Sequence, residues 1–409
     1  MSATTSPSAI QFYLELEEKY GAHNYHPLPV VLTRGLGVYV WDVEGKRYFD
    51  FLSGYSALNQ GHCHPKIIAA LMEQAQSLTL TSRAFHSDAL GDYSKYITGY
   101  FGYDKVLPMN TGVEAVETAL KLCRKWSYEV KGIPEDKARI VVCDDNFHGR
   151  TSTVISFSSD PSSYKNFGPF MPGFLRIPYN DLNALEEVLK EENIAGFLVE
   201  PIQGEAGVVV PDEGYLSKAY SLCASANVLF IADEIQTGLC RTGMMLACDH
   251  ENVRPNILLL GKALSGGVLP VSAVMADDEI MLTIRPGEHG STYGGNPLAC
   301  KVAIASLQVL KDEHLADKAA SLGQHFREGL KALKSDFIKE VRGKGLLNAV
   351  VVQHADKDAA WKLCLALKDN GLLAKPTHGD KIRFAPPLVI TKEQVDECIH
   401  IIAKCLSNF

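Results

Sequence analysis

The sequence predicts an α/β fold in which a large, mostly parallel sheet is covered on both faces by helices. Two observations support this: short apolar runs rich in Val, Ile and Leu recur along the chain, and helical segments separate them. Strands that are apolar on both sides are typical of parallel sheets, because helices cover both faces of such sheets. In chain order, the predicted strands are Lys105–Pro108, Arg139–Cys143, Ile194–Val199, Val228–Ala232, Ile257–Leu260 and Val271–Met275.

The segments on either side of this region predict a smaller α+β domain. The first part of the chain predicts a short acidic helix over Ile10–Tyr20, followed by short strands. After a long helix over Leu315–Lys334, the last part predicts a strand and two further helices. We therefore divide the chain into an N-terminal segment (residues 1–60), a large domain (61–300) and a C-terminal small domain (301–409).

Composition argues against several classes of protein. The chain has 409 residues, of which 46% are hydrophobic, and its formal net charge is −8. This charge is unfavourable for a surface that binds nucleic acid, because phosphates select for clustered Lys and Arg. No apolar run approaches the length needed to cross a bilayer. We therefore expect neither a nucleic-acid nor a membrane partner, and a core large enough for two domains.

The cysteines and the first residues bear on the compartment. The ten cysteines are scattered without a Cys-x-x-Cys spacing, so neither a zinc ribbon nor a disulfide framework is expected. His62, Cys63 and His64 could in principle bind a metal, but no second cluster of ligands stands out, and we expect no metal. Lys19 is the only basic residue among the first twenty, which is unlike a mitochondrial presequence. The sequence predicts a cytoplasmic protein, or a mitochondrial matrix protein if a precursor was trimmed.

Three of the predicted strands are followed by residues that could carry chemistry. Asp233 follows the fourth strand, Lys262 follows the fifth, and Thr111 and Gly112 lie between the first strand and a helix. Ligands of such sheets bind beyond the carboxyl ends of the strands, so we expect these residues to lie close together. Burial of a lysine lowers its pKa and makes its amine a nucleophile. A helix N-terminus presents free N–H groups that can bind phosphate.

Each of these features also has a purely structural interpretation. Asp233 could be a helix N-cap, Lys262 could extend its amine into water, and Thr111 could cap a helix with Glu114 in the first turn. Together they match a pyridoxal phosphate site, which needs a lysine nucleophile, an acid at the pyridine nitrogen and a phosphate-binding helix end. A P-loop nucleotide site is not predicted, since the G-x-x-x-x-G-K-[ST] motif is missing.

Longer stretches of the sequence resemble one enzyme family. Phe147–Thr151, Asp233–Gly238 and Lys262–Gly267 are similar to the class III aminotransferases of pyridoxal phosphate fold type I, and the resemblance runs from Tyr20 to the C-terminus. It implies a large, doubly covered sheet domain plus a smaller α+β domain built from the N- and C-terminal segments. Within the family, the sequence most resembles the members that act on ornithine. The stretches that carry this similarity are Tyr20–Pro27, Ser56–His62, Glu200–Gly207, Gly287–Pro297 and Lys375–Gly379.

The resemblance implies pyridoxal 5'-phosphate as the cofactor. Lys262 would hold it covalently, Asp233 would pair with the pyridine nitrogen, Gln236 would hydrogen-bond the ring hydroxyl, and Phe147 would stack on the ring. The further cofactor residues that it implies are Thr111, Gly112, Val113, His148, Ile235, Ser291 and Thr292. In this family the last two reach the phosphate from the neighbouring subunit, so a homodimer with shared sites is expected.

The resemblance also implies the substrates. The δ-amino group of L-ornithine would pass to 2-oxoglutarate, giving glutamate and glutamate 5-semialdehyde, which cyclises to pyrroline-5-carboxylate. Arg150 would bind the carboxylate of ornithine, Tyr25 its α-amino group, and Tyr55 would line the pocket against shorter amines. Arg383 would bind the α-carboxylate of 2-oxoglutarate, and Glu205 would mask Arg383 while ornithine reacts.

Several alternatives stay open at this point. Arg150 could form a structural salt bridge, and Tyr25 could simply pack against its neighbours. Another class III enzyme acting on N-acetylornithine or 4-aminobutyrate is the nearest alternative, but it would leave Tyr25 without an α-amino partner. A nicotinamide-dependent dehydrogenase would need a G-x-G-x-x-G motif, which is missing after the first strand. A non-catalytic protein of this fold would not be expected to retain Lys262, Asp233 and Arg150 together.

Overall fold

The computed structural model describes residues 8–407 and 409. In the N-terminal part, the predicted acidic helix begins at Ala9, because the Ser8 hydroxyl caps it by accepting a hydrogen bond from Gln11 N at 3.2 Å. Three strands and one helical turn follow. The elements of this part are α1 (Ala9–Tyr20), β1 (Leu32–Leu36), β2 (Tyr39–Asp42), β3 (Arg47–Asp50) and α2 (Ser53–Ser56).

The middle part alternates helices and strands, and each of the six predicted strands begins within one residue of its predicted start. Two 3₁₀ helices lie at Ala247–Glu251 and Lys262–Ser265. The other elements are α3 (Pro65–Ala75), α4 (Asp88–Phe101), β4 (Lys105–Met109), α5 (Gly112–Glu129), β5 (Arg139–Cys143), α6 (Ser152–Ile155), α7 (Pro161–Tyr164), β6 (Phe174–Ile177), α8 (Leu182–Leu189), β7 (Ile194–Val199), α9 (Tyr215–Ser225), β8 (Leu229–Asp233), β9 (Ile257–Leu260), β10 (Ser272–Ala276), α10 (Asp278–Met281) and α11 (Pro297–Asp312).

The central sheet has seven strands in the order β4-β10-β9-β8-β7-β5-β6. Four neighbouring pairs are parallel, and the two pairs that involve β10 are antiparallel. The predicted fold, a mostly parallel sheet, is therefore confirmed. The edge strand β6 was not predicted, since most of it is only partly buried and lacks the continuous apolar pattern of the inner strands.

Side chains of the inner strands alternate between two cores, one on each face of the sheet. On β5, Ile140 and Val142 join the core that contains α5, whereas Val141 and Cys143 join the core that contains α8 and α9. Such strands are buried on both sides, and all residues of β7, β8, β9 and β10 are buried. Burial on both faces explains the uninterrupted apolar runs seen in the sequence.

The C-terminal part forms a second, four-stranded sheet in the order β11-β12-β15-β14. Its elements are α12 (Leu315–Ala332), β11 (Ile338–Lys344), β12 (Leu347–Val352), α13 (Ala359–Asp369), β13 (Leu372–Leu373), β14 (Lys375–Thr377), β15 (Lys381–Phe384) and α14 (Lys392–Leu406). The short strand β13 pairs with β3, so both ends of the chain share a third sheet, β1-β2-β3-β13. Residue 300 lies inside α11, which packs on α3 and α4, and the domain boundaries stay a prediction.

The sheet brings one set of chain segments to its carboxyl edge. Asp233 is the last residue of β8, Lys262 follows β9, and Gly112 begins α5 just after β4. Across the described residues, 8–407 and 409, no helix is long and apolar enough to cross a membrane. The same residues contain no group of three or more His, Cys, Asp and Glu side chains placed to hold a metal ion.

Candidate active site

A cleft with about 650 Å³ of empty space opens at the carboxyl edge of the central sheet. It combines the three strand ends that the sequence singled out with residues from the loops beside them. The predicted site residues that line it are Gly112, Val113, Phe147, His148, Glu205, Asp233, Ile235, Gln236 and Lys262. The expectation that these residues lie close together is therefore met in a single cavity.

Lys262 begins a 3₁₀ helix directly after β9, with a left-handed φ of 45°. Burial lowers the pKa of Lys262; the carboxylates of Glu205 and Asp233 oppose the shift, and the charge of Arg383 adds to it. The net effect is a lowered pKa, which raises the fraction of neutral amine near neutral pH. A neutral amine is the form that can act as a nucleophile or accept a proton.

Asp233 lies in a buried network of acids with His148. His148 Nδ1 donates to Asp233 Oδ2 at 2.7 Å, and both side chains are almost fully buried. Burial alone would lower the pKa of His148, but the hydrogen bond and charge of Asp233 outweigh it and raise that pKa. Beside them, burial raises the pKa of Glu200 to about 7, while Phe147 N donates to Glu200 Oε2 at 2.9 Å. The network thus holds Asp233 in one orientation toward the cleft.

Thr111 and Gly112, at the N-terminus of α5, were interpreted either as a helix cap or as a phosphate-binding site, and the structure is compatible with both. Thr111 and Glu114 form a capping box: Glu114 N donates to Thr111 Oγ1 at 3.4 Å, and Thr111 N donates to Glu114 Oε2 at 2.7 Å. Within the described part of the chain, the N–H groups of Gly112 and Val113 have no acceptor. The cap therefore leaves two N–H groups of the first turn free at the wall of the cleft, where an anion is stabilised.

An ion pair, one member of which lines the cleft, borders Tyr55. Arg383 Nη1 donates to Glu205 Oε1 at 2.7 Å, and the guanidinium lies 4.9 Å from the centre of the Tyr55 ring. Burial would raise the pKa of Glu205, but Arg383 holds it below its ordinary value. Burial, and then the charge of Glu205, raise the pKa of Tyr55, so its hydroxyl stays protonated. The charge of Arg383 is thus paired with the Glu205 carboxylate in this structure.

A family model described as Aminotransferase class-III matches residues 20–406. The chain belongs to the class-III aminotransferase family. The rat protein named ornithine aminotransferase, mitochondrial, is 63% identical over 403 residues, covering 98% of this chain and 92% of the relative.

Solved structures give the same class-III aminotransferase fold. An ornithine aminotransferase from Toxoplasma gondii superposes with a TM-score of 0.96 and 54% identity, over 98% of this chain and 94% of that chain. A structure of acetylornithine aminotransferase from Elizabethkingia anophelis has a TM-score of 0.90 and 60% identity, over 98% of this chain and 99% of that chain. The resemblance described from the sequence is therefore confirmed, as is fold type I.

The cleft of this class-III aminotransferase fits pyridoxal phosphate. Two residues that line it carry a buried polar atom with no partner among the described residues, namely Nε2 of His148 and Oε1 of Gln236. Buried polar atoms are normally hydrogen-bonded, so unpaired ones in a cavity indicate a polar ligand. The free N–H groups of Gly112 and Val113 supply a phosphate seat at the same cavity, and Lys262 supplies the amine.

Seven predicted site residues lie outside the lining of the cleft: Thr111, Tyr55 and Arg383, described above, and Tyr25, Arg150, Ser291 and Thr292. Arg150 is next to it, with its guanidinium 5.6 Å from the centre of the Phe147 ring and Nη1 donating to Ser163 Oγ at 3.3 Å. Tyr25 is 70% exposed, with the Lys375 amine 5.9 Å from its ring centre.

Ser291 and Thr292 lie on a separate loop. Ser291 Oγ accepts a hydrogen bond from Asn110 Nδ2 at 2.7 Å, and Thr292 is exposed. Neither lines the cleft of its own chain. No ion pair of Arg150 is found among the described residues, so the structural salt bridge considered for that side chain is not observed.

Sequence reasoning gave no role to Gly149, Glu200 and Thr237, which line the cleft, or to Gly204, which lies against Gln236. Glu200 directly follows the buried strand β7, so the rule that selected Asp233 would also have found it. Gly204 lies so close to Gln236 that a Cβ there would come within 1.4 Å of Gln236 Oε1. That requirement is a property of the folded chain and has no local signal in the sequence.

Proposed function

We propose that this chain is a pyridoxal-phosphate-dependent ornithine aminotransferase. It transfers the δ-amino group of L-ornithine to 2-oxoglutarate, and the products are glutamate and glutamate 5-semialdehyde, which cyclises to pyrroline-5-carboxylate. The observation that carries the proposal is the ion pair between Glu205, which lines the cleft with Lys262, and the buried Arg383 beside Tyr55. Ornithine and 2-oxoglutarate differ in charge. Both can use one site if Arg383 is paired with Glu205 while ornithine reacts and is free to bind 2-oxoglutarate.

Different residues in and beside the cleft would bind different parts of the cofactor. Gly112 and Val113 donate N–H groups to its phosphate, and Thr111 caps the helix that carries them. Phe147 would stack on the ring, Ile235 would line the pocket that holds it, and Gln236 would hydrogen-bond the ring hydroxyl. When bound, pyridoxal phosphate supplies an aldehyde that takes up the amino group and a ring that withdraws electrons. Asp233, oriented by His148, keeps the ring nitrogen protonated and so strengthens that withdrawal.

Lys262 has two tasks in the proposed reaction. Its neutral amine holds the cofactor covalently until the donor amine displaces it. Once released, Nζ of Lys262 would accept the proton from the substrate carbon that carries the reacting nitrogen. The lowered pKa of Lys262 suits both tasks, because a protonated amine could accept no proton.

Substrate choice follows from the charges at the far end of the cleft. Ornithine presents its δ-amine to Lys262, so its α-carboxylate and α-amino group lie far from the ring, at Arg150 and Tyr25. Arg383 stays paired with Glu205 in this half-reaction. A dicarboxylate then requires a second cation, and Arg383 becomes available when Glu205 turns away. Opening a buried pair costs on the order of a few kcal/mol, which only a well-placed carboxylate compensates.

The proposal includes a homodimer with shared sites, in which Ser291 and Thr292 reach the phosphate of the partner subunit. Their position outside the cleft of their own chain supports it. The cytoplasmic location stays a prediction, and cell fractionation tests it against the mitochondrial matrix.

A visible absorbance spectrum of the purified holoenzyme tests the function. L-Ornithine should bleach the band of the lysine-bound cofactor, and 2-oxoglutarate should then restore it. The Lys262→Ala variant should show no such cycle and no turnover. A wild-type band that ignores ornithine contradicts the proposed donor, and the lack of any band after pyridoxal phosphate is added contradicts the role of Lys262.

N-Acetylornithine is the second candidate donor, because the similar structure from Elizabethkingia anophelis is titled as an acetylornithine aminotransferase. Parallel titrations with N-acetylornithine and 4-aminobutyrate distinguish the donors. The proposed contact of Tyr25 favours a free α-amino group, since acetylation removes the charge that its hydroxyl would stabilise.

A further inference from the structure

The turn α2 has an unusual backbone, and it carries Tyr55. Ser53, Gly54, Tyr55 and Ser56 have φ values of 51°, 56°, 61° and 70°, all in the left-handed region that L side chains rarely adopt. A run of this kind persists only where the surrounding structure holds it. Its own serines do not, because Ser53 Oγ and Ser56 Oγ are buried without a hydrogen-bond partner among the described residues.

Asp50, at the end of β3, holds the start of this turn. Its Oδ1 accepts hydrogen bonds from Leu52 N at 2.9 Å and from Ser53 N at 2.8 Å. Its Oδ2 accepts from His62 Nε2 at 2.8 Å. Asp50 is only 8% exposed, so its carboxylate depends on these three donors in place of water. The side chain therefore links the first amides of the turn to His62.

His62 is itself fixed from two sides. Its backbone pairs with Gly37 in both directions, at 2.8 and 3.0 Å. Its ring lies against Gly35 of β1, where a Cβ would come within 2.6 Å of Nδ1. The ring cannot shift without displacing β1, so His62 anchors Asp50 to the N-terminal sheet.

The other side of the turn faces the active site. Tyr55 O accepts a hydrogen bond from Gln236 Nε2 at 3.2 Å, and its ring lies under the guanidinium of Arg383. A few residues on, Gln60 Nε2 donates to Ala263 O at 3.0 Å, next to Lys262. The position of the Tyr55 phenol is thus set between the Asp50 hydrogen bonds and the cofactor-binding turn.

We propose that Asp50 and His62 are positioning residues for Tyr55 and thereby determine which amine donor the enzyme accepts. This inference rests on the proposed function, in which Tyr55 lines the ornithine pocket. Neither Asp50 nor His62 lines the cleft. Without their hydrogen bonds the turn relaxes out of the left-handed region, the phenol moves from Arg383, and the wall that favours ornithine over shorter amines is lost.

Steady-state kinetics of holoenzyme variants with ornithine and 4-aminobutyrate test this. For Asp50→Ala, we expect kcat/KM for ornithine to fall about ten- to a hundredfold, mainly through KM, with less effect on 4-aminobutyrate. Asp42→Ala is a matched control, because Asp42 Oδ1 accepts from Glu44 N and Lys46 N, and Oδ2 from Tyr48 Oη, at the far hairpin of the same sheet. The control should leave the donor ratio, which is kcat/KM for ornithine divided by kcat/KM for 4-aminobutyrate, unchanged.

A double-mutant cycle separates positioning from a general structural role. If Asp50 acts through Tyr55, Asp50→Ala should hardly change the donor ratio in the Tyr55→Ala background. His62→Leu should reproduce the effect of Asp50→Ala, and His62→Gln, which keeps an N–H in reach of Asp50, should restore discrimination. An unchanged donor ratio in folded Asp50→Ala, or full additivity in the cycle, would overturn the proposal.

Hydrogen exchange gives a readout that does not depend on the substrate. The amides of residues 53–58 should lose protection in Asp50→Ala and His62→Leu but not in Asp42→Ala; if Asp50→Ala does not fold, the two His62 variants carry the test. A wild-type enzyme that ignores ornithine contradicts the proposed function alone, and the cycle is then run with the donor it uses. Unchanged protection of these amides contradicts the positioning role whatever the donor.

Discussion

At the scale of single residues, the proposed function makes the Glu205–Arg383 pair the feature that separates the two substrates. The side chain of Arg383 is 3% exposed, so removing its partner leaves a buried charge uncompensated. In Glu205→Gln, Arg383 is free to attract the α-carboxylate of any donor, including ornithine in an unproductive orientation. We expect kcat/KM for ornithine to fall about tenfold and that for glutamate as donor to rise, as steady-state kinetics would show.

A surface glutamate provides the control for this variant. Glu187→Gln removes only an exposed ion pair with Lys190 and should change neither value. If Glu205→Gln keeps the wild-type ratio of the two donors, masking of Arg383 is not what separates the substrates.

Glu200 makes the cofactor-free protein sensitive to pH. Burial raises its pKa from 4.5 to about 7, so it favours the protonated form in the folded state. The stability linked to this shift is fully present below about pH 4.5 and is lost as the pH rises through about 7, a change of about 3 kcal/mol. Glu200→Gln cannot ionise, so its advantage in melting temperature over the wild type should grow from pH 5 to pH 8. An advantage that is equal at both pH values would mean that Glu200 stays ionised throughout.

At the scale of elements, the cap of α5 sets which N–H groups stay free for the phosphate in the proposed site. Thr111→Ala removes the acceptor for Glu114 N, and we expect a loss of about 1 kcal/mol in unfolding free energy together with weaker binding of pyridoxal phosphate. Thr391→Ala is the control, since Thr391 and Gln394 form the same capping box on α14. It should cost similar stability in urea unfolding but leave the cofactor titration unchanged. Equal cofactor affinity in both variants would contradict a role of the α5 cap in phosphate binding.

The elements also show what the sequence could predict. The strands β5, β7 and β9 have their predicted bounds. A strand that is buried on both faces consists of consecutive apolar residues, which are visible in the sequence. The direction of β10 was not predictable, since antiparallel pairing depends on neighbours far along the chain. The strand β11 was missed because its residues are exposed or only partly buried.

The same distinction holds in the site. Asp233 and Lys262 stand at strand ends, where position in the sequence already implies position in the sheet. The proposed positioning role of Asp50 depends on its contacts with His62 and with the left-handed turn. No local sequence pattern predicts these contacts.

At the scale of the whole molecule, the homodimer proposal predicts that two defective chains can complete one site. Lys262→Ala lacks the amine, and a chain with both Ser291→Ala and Thr292→Ala lacks the hydroxyls that the partner's phosphate would meet. In a heterodimer of these two, one site combines an intact Lys262 with an intact loop from the other chain. Purified through two different tags and assayed at limiting cofactor, the heterodimer should show about half of the wild-type activity, well above either parent. If the loop served its own chain, the heterodimer would contain no intact site and its activity would stay at the level of the parents.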